Sequence, residues 1–218
     1  LNKSLSISKF YKKIKLSNKS INFNEYNLII NTDYLSFLTK RFFNKKIIKS
    51  YDSLAYTTII DHENIINNVA VQIFTKKGPL AFLPISKNKT SIVFSIHNSN
   101  NSVKENVNQL IQQYNFKYKI NKINKIEKFD LKSFVLRSYY SDNILAFGDL
   151  LHRIHPLAGQ GFNMTIRDIK IISKIVENKI SLGLPIDISV GDDFQNSTKH
   201  LNYLYGKAID GIYEFFKL

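Results

Sequence analysis

Residues 144–163, ILAFGDLLHRIHPLAGQGFN, contain three of the eight glycines of the chain and determine how its last third is organised. The apolar run 144–147 is typical of a buried strand, and Gly148-Asp149 ends it. Gly159-Gln160-Gly161 then precedes a stretch with helical spacing of apolar residues. The segment therefore predicts a strand, a loop and a helix that begins beside the loop.

The same loop has the chemistry of a ligand site. An Asp at the carboxyl end of a strand accepts hydrogen bonds from sugar hydroxyls in dinucleotide sites. Glycines allow the backbone to approach a flat ligand, and a helix N-terminus offers unpaired N–H groups to an anion or a carbonyl oxygen. The alternative is a turn that starts a helix, with His152 and His155 as ordinary loop residues. The residues by themselves leave both interpretations open.

Strand-like segments occupy most of the chain before this loop. A buried strand is predicted at 26–30, ending at Asn31-Thr32-Asp33, and another at 143–147. Three β-rich runs between Ala55 and Ile96 are expected to be neighbouring antiparallel strands, with breaks at 78–79 and 87–89. Their bounds are 56–60, 69–74 and 91–96, and a further strand is predicted at 131–136.

Helical spacing appears in three places. Apolar residues between Val103 and Tyr114 fall on one helix face. After Gly161, apolar steps of three and four predict a helix that packs on the sheet, with charged residues on its other face. Its apolar positions are Phe162, Ile166, Ile169, Ile172 and Val176, and its charged positions are Arg167, Asp168, Lys170 and Lys174. A last helix is expected to be capped by Asp192 or Asp193 and to bury Leu201, Leu204, Ala208, Ile212 and Phe215. The fold class is therefore mixed α/β.

Composition indicates a folded globular protein. The 218 residues are 44% hydrophobic and 22% charged, and they include no cysteine, which excludes disulfides and thiolate metal sites. The net charge of +14 suits an anionic membrane or nucleic acid. However, Lys, Asn and Ile are abundant everywhere, as nucleotide bias alone produces, and arginine is scarce. We therefore expect no nucleic-acid partner, and no His/Asp/Glu spacing predicts a metal site.

Two motifs resemble a known family. Gly148-Asp149-x-x-His152, followed by residues 155–163 and Arg167-Asp168, resembles the second FAD motif of single-component aromatic-ring flavoprotein hydroxylases, in their ubiquinone-biosynthesis branch. Residues 78–85, GPLAFLPI, are similar to a second element of that branch. His62-Glu63 stands upstream of this element, with Ser91-x-Val93-x-Ser95 downstream. The tail around Tyr203, 208–212 and 215–216 is also similar, so the resemblance covers roughly residues 26 to 216.

This resemblance implies a para-hydroxybenzoate hydroxylase-like fold. Residues 1–50 would end the FAD-domain sheet, 51–138 would form the substrate-domain sheet with one helix, and 139–218 would return to the FAD domain. The implied activity is FAD-dependent hydroxylation of a polyprenylated phenol or quinol in ubiquinone biosynthesis, with NAD(P)H and O₂. The implied partners are this substrate, a membrane surface and other ubiquinone-biosynthesis proteins. The implied location is cytoplasmic, peripheral to the inner membrane.

The resemblance also assigns site residues. Asp149 would hold the FAD ribityl or ribose hydroxyls. Seven residues would line the isoalloxazine ring, with backbone N–H groups near its pyrimidine carbonyl: Pro156, Ala158, Gly159, Gln160, Gly161, Phe162 and Asn163. His155 would touch the flavin or its substrate, or stabilise a neighbouring carbonyl. No side chain need act as a nucleophile, since the cofactor carries the chemistry.

The chain departs from the family pattern at several positions. None of the eight glycines forms the Gly-x-Gly-x-x-Gly segment that holds the ADP part of FAD, so we expect a portion of a longer or split protein. Tyr34 follows Asp33 where the family has a small residue, and Leu150-Leu151 and Thr165 add bulk near the expected flavin. A catalytically dead remnant with a structural role in a quinone-biosynthesis assembly is the alternative.

Overall fold

The computed structural model describes residues 2–13, 22–97, 107–155 and 159–215. The strands are β1 (Ile29–Asn31), β2 (Lys46–His62), β3 (Val71–Thr75), β4 (Gly78–Ser86), β5 (Lys89–His97), β6 (Ile120–Ile123), β7 (Glu127–Leu136), β8 (Tyr140–Ser141), β9 (Ile144–Ala146) and β10 (His152–Arg153). The helices are α1 (Asn2–Ile7), α2 (Phe37–Phe42), α3 (Val107–Tyr114), α4 (Gln160–Ser181) and α5 (Ile188–Phe215). Short 3-10 turns lie at Phe23–Glu25 and Gly148–Leu150.

A seven-stranded antiparallel sheet is the main layer of the fold. Its strand order is β10-β7-β2-β5-β4-β3, and β6 also pairs with β2. The predicted antiparallel runs all lie in this sheet, and the run at 69–74 corresponds to β3, which pairs with β4. The mixed α/β class is thus confirmed.

Strand β4 corrects the prediction of a break at Gly78-Pro79. Residues 78–86 form a strand between β3 and β5, because Pro79 lies where the strand begins and Gly78 permits a close backbone approach. A Cβ atom at Gly78 would lie 2.1 Å from the Ser95 carbonyl oxygen. The glycine therefore allows β4 to start against β5.

A second sheet has three strands in the order β1-β9-β8. Strands β1 and β9 are parallel, with Ile29 opposite Ile144 and Asn31 opposite Ala146. The strand predicted at 26–30 is wrong in its bounds and burial: β1 has three residues, and Ile30 is 49% exposed. The strand predicted at 143–147 is confirmed as β9, all three of whose residues are buried.

The buried faces of both long helices differ from the predicted ones. Helix α4 buries Met164, Asp168 and Ile172, and Val176 packs half-buried against the core, so the prediction is confirmed at Ile172 and Val176, whereas Phe162 is 70% exposed. Its predicted apolar positions Ile166 and Ile169 are also exposed. The reason is that Asp168 has buried partners, which turn that side of the helix inward.

Helix α5 begins earlier than predicted. The Asp187 carboxylate accepts hydrogen bonds from the Ser189 backbone N–H at 2.9 Å and its hydroxyl at 2.6 Å, so Asp187 caps the helix. Asp192 and Asp193 lie inside α5 and do not cap it. All five positions predicted to be buried are exposed: Leu201, Leu204, Ala208, Ile212 and Phe215. The buried face instead carries Val190, Gly191, Phe194, Thr198, Asn202, Ile209 and Tyr213.

Two apolar clusters hold these layers together. One joins the three-stranded sheet to α4 and α5 and includes Leu145, Ile172 and Phe194. The other lies under the seven-stranded sheet and α3, around Ile92 and Ile111. Helix α3 confirms the 107–114 part of the predicted helix, while 103–106 lie outside the described residues. Among the described helices, none is both long and apolar enough to cross a bilayer.

Candidate functional site

The carboxyl ends of two parallel strands lie side by side at one edge of the three-stranded sheet. The Phe147 backbone N–H donates to the Asn31 carbonyl at 2.9 Å, which joins β9 to β1 where both strands end. Asp33 follows β1 and Asp149 follows β9, so both acidic residues stand at this edge. Ligands of open α/β sheets bind at such an edge, beyond the carboxyl ends of the strands.

Asp149 lies on an exposed turn above a tightly packed core. Gly148, at φ +64°, takes the left-handed conformation that starts the turn, and the Asp149 side chain faces solvent. Leu150 and Leu151, which follow it, are both fully buried in the core cluster. The side chains of these two leucines are packed inside the protein, and their expected bulk beside a flavin stays a prediction.

The start of α4 forms an open, glycine-lined surface. Gly159, at φ +66°, precedes the helix, and a Cβ atom at Gly159 or Gly161 would meet no atom of the described residues within 4 Å. The Gln160 side-chain oxygen accepts hydrogen bonds from the Tyr205 hydroxyl at 2.6 Å and the Asn163 amide at 3.0 Å. Residues 156–158, which include the predicted site residues Pro156 and Ala158, lie outside the described part of the chain.

A buried ionic network fixes the chain on both sides of this loop. His152 Nε2 lies 2.8 Å from the Asp168 carboxylate, whose other oxygen accepts a hydrogen bond from Arg167 at 2.9 Å. Arg167 also donates to the Asn202 side chain on α5. This network joins β10, α4 and α5, so the loop that runs from β10 to α4 has both its ends anchored.

His155 is a buried histidine with unusual surroundings. Neither of its ring nitrogens has a hydrogen-bond partner among the described residues, and the residue is 1% exposed. Its ring centroid lies 4.2 Å from that of Tyr213 and 4.8 Å from that of Tyr51, which it meets edge to face. Burial lowers the pKa of His155 to about 4, so the imidazole is neutral at physiological pH.

Hydrogen-bonding groups of β2, β5 and α5 surround this aromatic cluster. The Ser53 hydroxyl lies 2.8 Å from the Tyr213 hydroxyl and 2.9 Å from His97 Nδ1. The Tyr51 hydroxyl donates to Asp210, which also forms an ion pair with Lys49 at 2.9 Å. Burial raises the pKa of Tyr51, and so does its hydrogen bond to Asp210. Burial likewise raises the pKa of Tyr213, so both phenols stay protonated.

The structure thus places the predicted residues in two groups. Asp149 and the residues Gly159 to Asn163 lie on the loop and helix start, and His155 lies in the aromatic cluster. The aromatic cluster beside His155 was missed, because its members come from three separate elements: Tyr51, Ser53, His97, Asp210 and Tyr213. No spacing in the sequence connects them, although Asp210 belongs to the tail segment noted for its resemblance.

Two of the divergent positions have clear structural settings. The Tyr34 ring centroid lies 5.6 Å from that of Phe134, and the Lys46 ammonium lies 3.9 Å above the Tyr34 ring. The Thr165 hydroxyl donates to the Gly161 carbonyl at 3.3 Å within α4. Each side chain is therefore occupied by contacts within the protein.

Comparison with known proteins identifies the same region. A family described as FAD binding domain matches residues 38–178. The 3-demethoxyubiquinol 3-hydroxylase of Escherichia coli K12 is 30% identical over 118 residues, which cover 51% of this chain and 30% of the relative. The human mitochondrial ubiquinone biosynthesis monooxygenase COQ6 is 27% identical over 165 residues, or 57% of this chain and 35% of the relative. The chain thus spans about a third of the length of these relatives.

Solved structures show the same fold. Pseudomonas aeruginosa PqsL in complex with 2-aminobenzoylacetate superposes with a TM-score of 0.67 at 14% identity, over 88% of this chain and 56% of PqsL. CabE, an aromatic hydroxylase from angucycline biosynthesis, superposes with a TM-score of 0.61 at 13% identity, over 87% of this chain and 40% of CabE. The described elements therefore have the arrangement found in these proteins.

Proposed function

The chain belongs to the FAD binding domain family, and from this premise we propose that the protein is an FAD-dependent monooxygenase that hydroxylates a polyprenylated phenol or quinol ring in ubiquinone biosynthesis. The observation that carries the proposal is the open glycine surface beside an exposed carboxylate at the ends of two parallel strands. The names of the relatives supply the substrate class. NAD(P)H is the proposed electron donor and O₂ the oxygen donor.

The residues present fit a flavin. Asp149 offers an exposed carboxylate to ribityl or ribose hydroxyls, and the space at Gly159 and Gly161 admits a flat ring against the backbone. The first N–H groups of α4 have no intrahelical partners and favour negative charge at the ligand. FAD, when bound, supplies the electron transfer and oxygen activation that side chains cannot. Pro156 and Ala158 remain proposed members of this site.

The aromatic cluster provides the setting for a substrate ring. The rings of Tyr51, Tyr213 and His155 form a largely dry surface, and dry cavities suit chemistry that water would interrupt. Ser53, Tyr213 and His97 bond to one another within this cluster, and we assign to them the positioning of the Tyr213 ring beside His155. Residues 51–138, which carry most of the seven-stranded sheet, are then the substrate domain. Residues 1–50 and 139–218, which add the start of β2 and β10 to that sheet, belong to the FAD domain.

A membrane surface is part of the same proposal. A polyprenylated ring stays in the bilayer, so the enzyme acts peripherally, at the cytoplasmic face of the inner membrane. Each Lys or Arg near an anionic leaflet contributes about 1 kcal/mol. Salt-sensitive binding to anionic vesicles and weak binding to neutral ones are expected, while equal binding to both would remove the electrostatic part of the proposal.

The decisive experiment uses the protein at the full length that its gene encodes. We expect bound flavin in the visible spectrum, and NAD(P)H-dependent conversion of a short-chain prenylated phenol to a product one oxygen atom heavier. Flavin binding without hydroxylation of any prenylated phenol or quinol would reject the proposed activity. Absence of flavin from a folded protein supplied with excess FAD would favour the structural remnant in an assembly of ubiquinone-biosynthesis proteins.

A further inference from the structure

A cavity of about 470 Å³ lies between α5 and the strands β2, β7 and β10. Its walls are mostly apolar, with Ile47, Phe134 and Val135 on the sheet side and Ile154 beyond β10. Helix α5 closes it with Gly206, whose missing side chain leaves room there. The volume is that of a typical small-molecule site.

The cavity is also strongly cationic. Five basic residues line it, which are Lys49, Arg137, Arg153, Lys199 and Lys207, against a single acidic residue, Asp210. That carboxylate is already engaged by Lys49 at 2.9 Å and by the Tyr51 hydroxyl. The Lys199 ammonium donates to the Arg137 carbonyl at 2.6 Å.

Four cations at the cavity therefore remain without a counter-charge. Within the described parts of the chain, Arg137, Arg153, Lys199 and Lys207 form no ion pair. Their side chains are exposed, so solvent screens their mutual repulsion, but together they attract an anion to this side of the molecule. An anion bound among them would supply a counter-charge, and guanidinium groups match carboxylate and phosphate oxygens in geometry.

We propose that this cavity binds a small amphipathic anion, with an apolar chain or ring against the sheet and a carboxylate or phosphate at the arginines. Among the described residues, the lining of the cavity includes neither Asp149 nor any residue of 159–163. Tyr51 is the shared wall, because its ring lines the cavity and also contacts His155. A ligand here lies beside the proposed substrate site without occupying it.

Dodecyl phosphate is a suitable probe, with dodecan-1-ol as its uncharged counterpart. Titration calorimetry on the folded protein is expected to show one dodecyl phosphate per chain, bound at least tenfold more tightly than the alcohol. Added salt is expected to weaken the binding of dodecyl phosphate and to leave the binding of the alcohol unchanged. Equal affinity for both probes would overturn the assignment of an anion to the cavity.

Glycine substitutions on α5 locate the binding site. A Cβ atom at Gly206 would lie 3.8 Å from the Ile154 side chain, an ordinary contact, so Gly206→Leu extends into the cavity without a backbone clash. Gly211→Leu is the matched control, since a Cβ atom there meets nothing within 4 Å and the position does not line the cavity. We expect Gly206→Leu to weaken dodecyl phosphate binding at least tenfold and Gly211→Leu to leave it unchanged.

A charge variant keeps the test valid if Gly206→Leu fails to fold. Arg137→Gln and Arg153→Gln are each expected to lower the affinity for dodecyl phosphate at least fivefold. The affinity for the alcohol should stay unchanged. Unchanged phosphate affinity in the folded Gly206→Leu protein, or in both arginine variants, would overturn the proposal. Displacement of the probe by FAD would also overturn it, because the cavity would then belong to the flavin site.

A competition experiment with lipid vesicles identifies the natural source of the anion. Phosphatidylglycerol vesicles are added to the complex with dodecyl phosphate. Retention of the probe supports a free small molecule as the natural ligand. Release of the probe in the parent protein supports a membrane lipid with the same amphipathic chemistry.

Discussion

His152 Nε2 on β10 and the Asp168 carboxylate on α4 lie 2.8 Å apart, and both side chains are essentially inaccessible to solvent. A buried carboxylate is stable only with partners, and Asp168 has two, His152 and Arg167. The pair therefore couples the edge of the large sheet to the helix that carries the glycine surface. It explains why α4 buries an acidic residue on the side where the sequence predicts a charged, solvent-facing stripe.

Removal of this imidazole is expected to destabilise the protein. His152→Ala leaves a small cavity and takes one of two partners from a buried carboxylate, which should cost about 2–4 kcal/mol in the free energy of unfolding. His200→Ala, at an exposed position of α5, is the control and should change it by less than about 0.5 kcal/mol. Urea denaturation measures both, and equal midpoints for the two variants would contradict the structural role of the pair.

His155 predicts a pH dependence of stability. Its pKa in the folded protein is about 4, below its ordinary value of 6.5, because burial disfavours the imidazolium. The unfolded chain therefore takes up a proton before the folded protein does. The contribution of the neutral ring to the free energy of unfolding is fully present above about pH 6.5. It is lost as the pH falls towards 4, and the total loss is about 3 kcal/mol.

The variant His155→Phe isolates this effect. Phenylalanine keeps the aromatic contacts with Tyr51 and Tyr213 and has no group to protonate. Denaturation at pH 7.5 and pH 4.5 should show a smaller loss of stability on acidification in the variant than in the parent protein. The same loss in both proteins would show that other groups cause the pH dependence.

Much of this architecture follows from local sequence, and the remainder depends on tertiary partners. The β-rich run 56–60 and the apolar run of β9 are sufficient to predict strands there, although β2 extends from Lys46 to His62 and was predicted only in part. Helix faces are harder, because burial of Asp168 and Asn202 depends on partners distant in sequence. The loop at Asp149 is recognisable from its glycines, whereas the cluster around His155 brings together residues separated by more than 100 positions, such as Ser53 and Tyr213.

Two glycines of α5 should respond oppositely to the same substitution. A Cβ atom at Gly191 would lie 2.6 Å from the Tyr140 ring, so Gly191→Ala forces α5 away from β8 and should lower the free energy of unfolding by about 1–3 kcal/mol. Gly211→Ala meets no atom within 4 Å and should raise it by about 0.5–1 kcal/mol through helix propensity. Thermal denaturation of both variants measures the difference, and a stabilised Gly191→Ala would show that α5 and β8 are not in contact.

Asp149 is expected to contribute directly to retention of FAD in the full-length protein. Loss of a hydrogen bond to a charged acceptor costs about 1–3 kcal/mol, so Asp149→Ala should lower the affinity for FAD by roughly five- to 150-fold. Asp130→Ala is the matched control, because this exposed carboxylate on β7 forms a surface ion pair with Lys132 at 3.7 Å, and its loss should leave FAD affinity unchanged.

Gly159→Val should lower the affinity for FAD more than Asp149→Ala does. A β-branched side chain at φ +66° strains the backbone and fills the open space at the start of α4. Flavin fluorescence titration measures all three affinities, and circular dichroism confirms that each variant is folded. If both Asp149→Ala and Gly159→Val bound FAD like the parent, the cofactor would have to lie elsewhere on the chain. The glycine loop would then be a structural turn between β10 and α4.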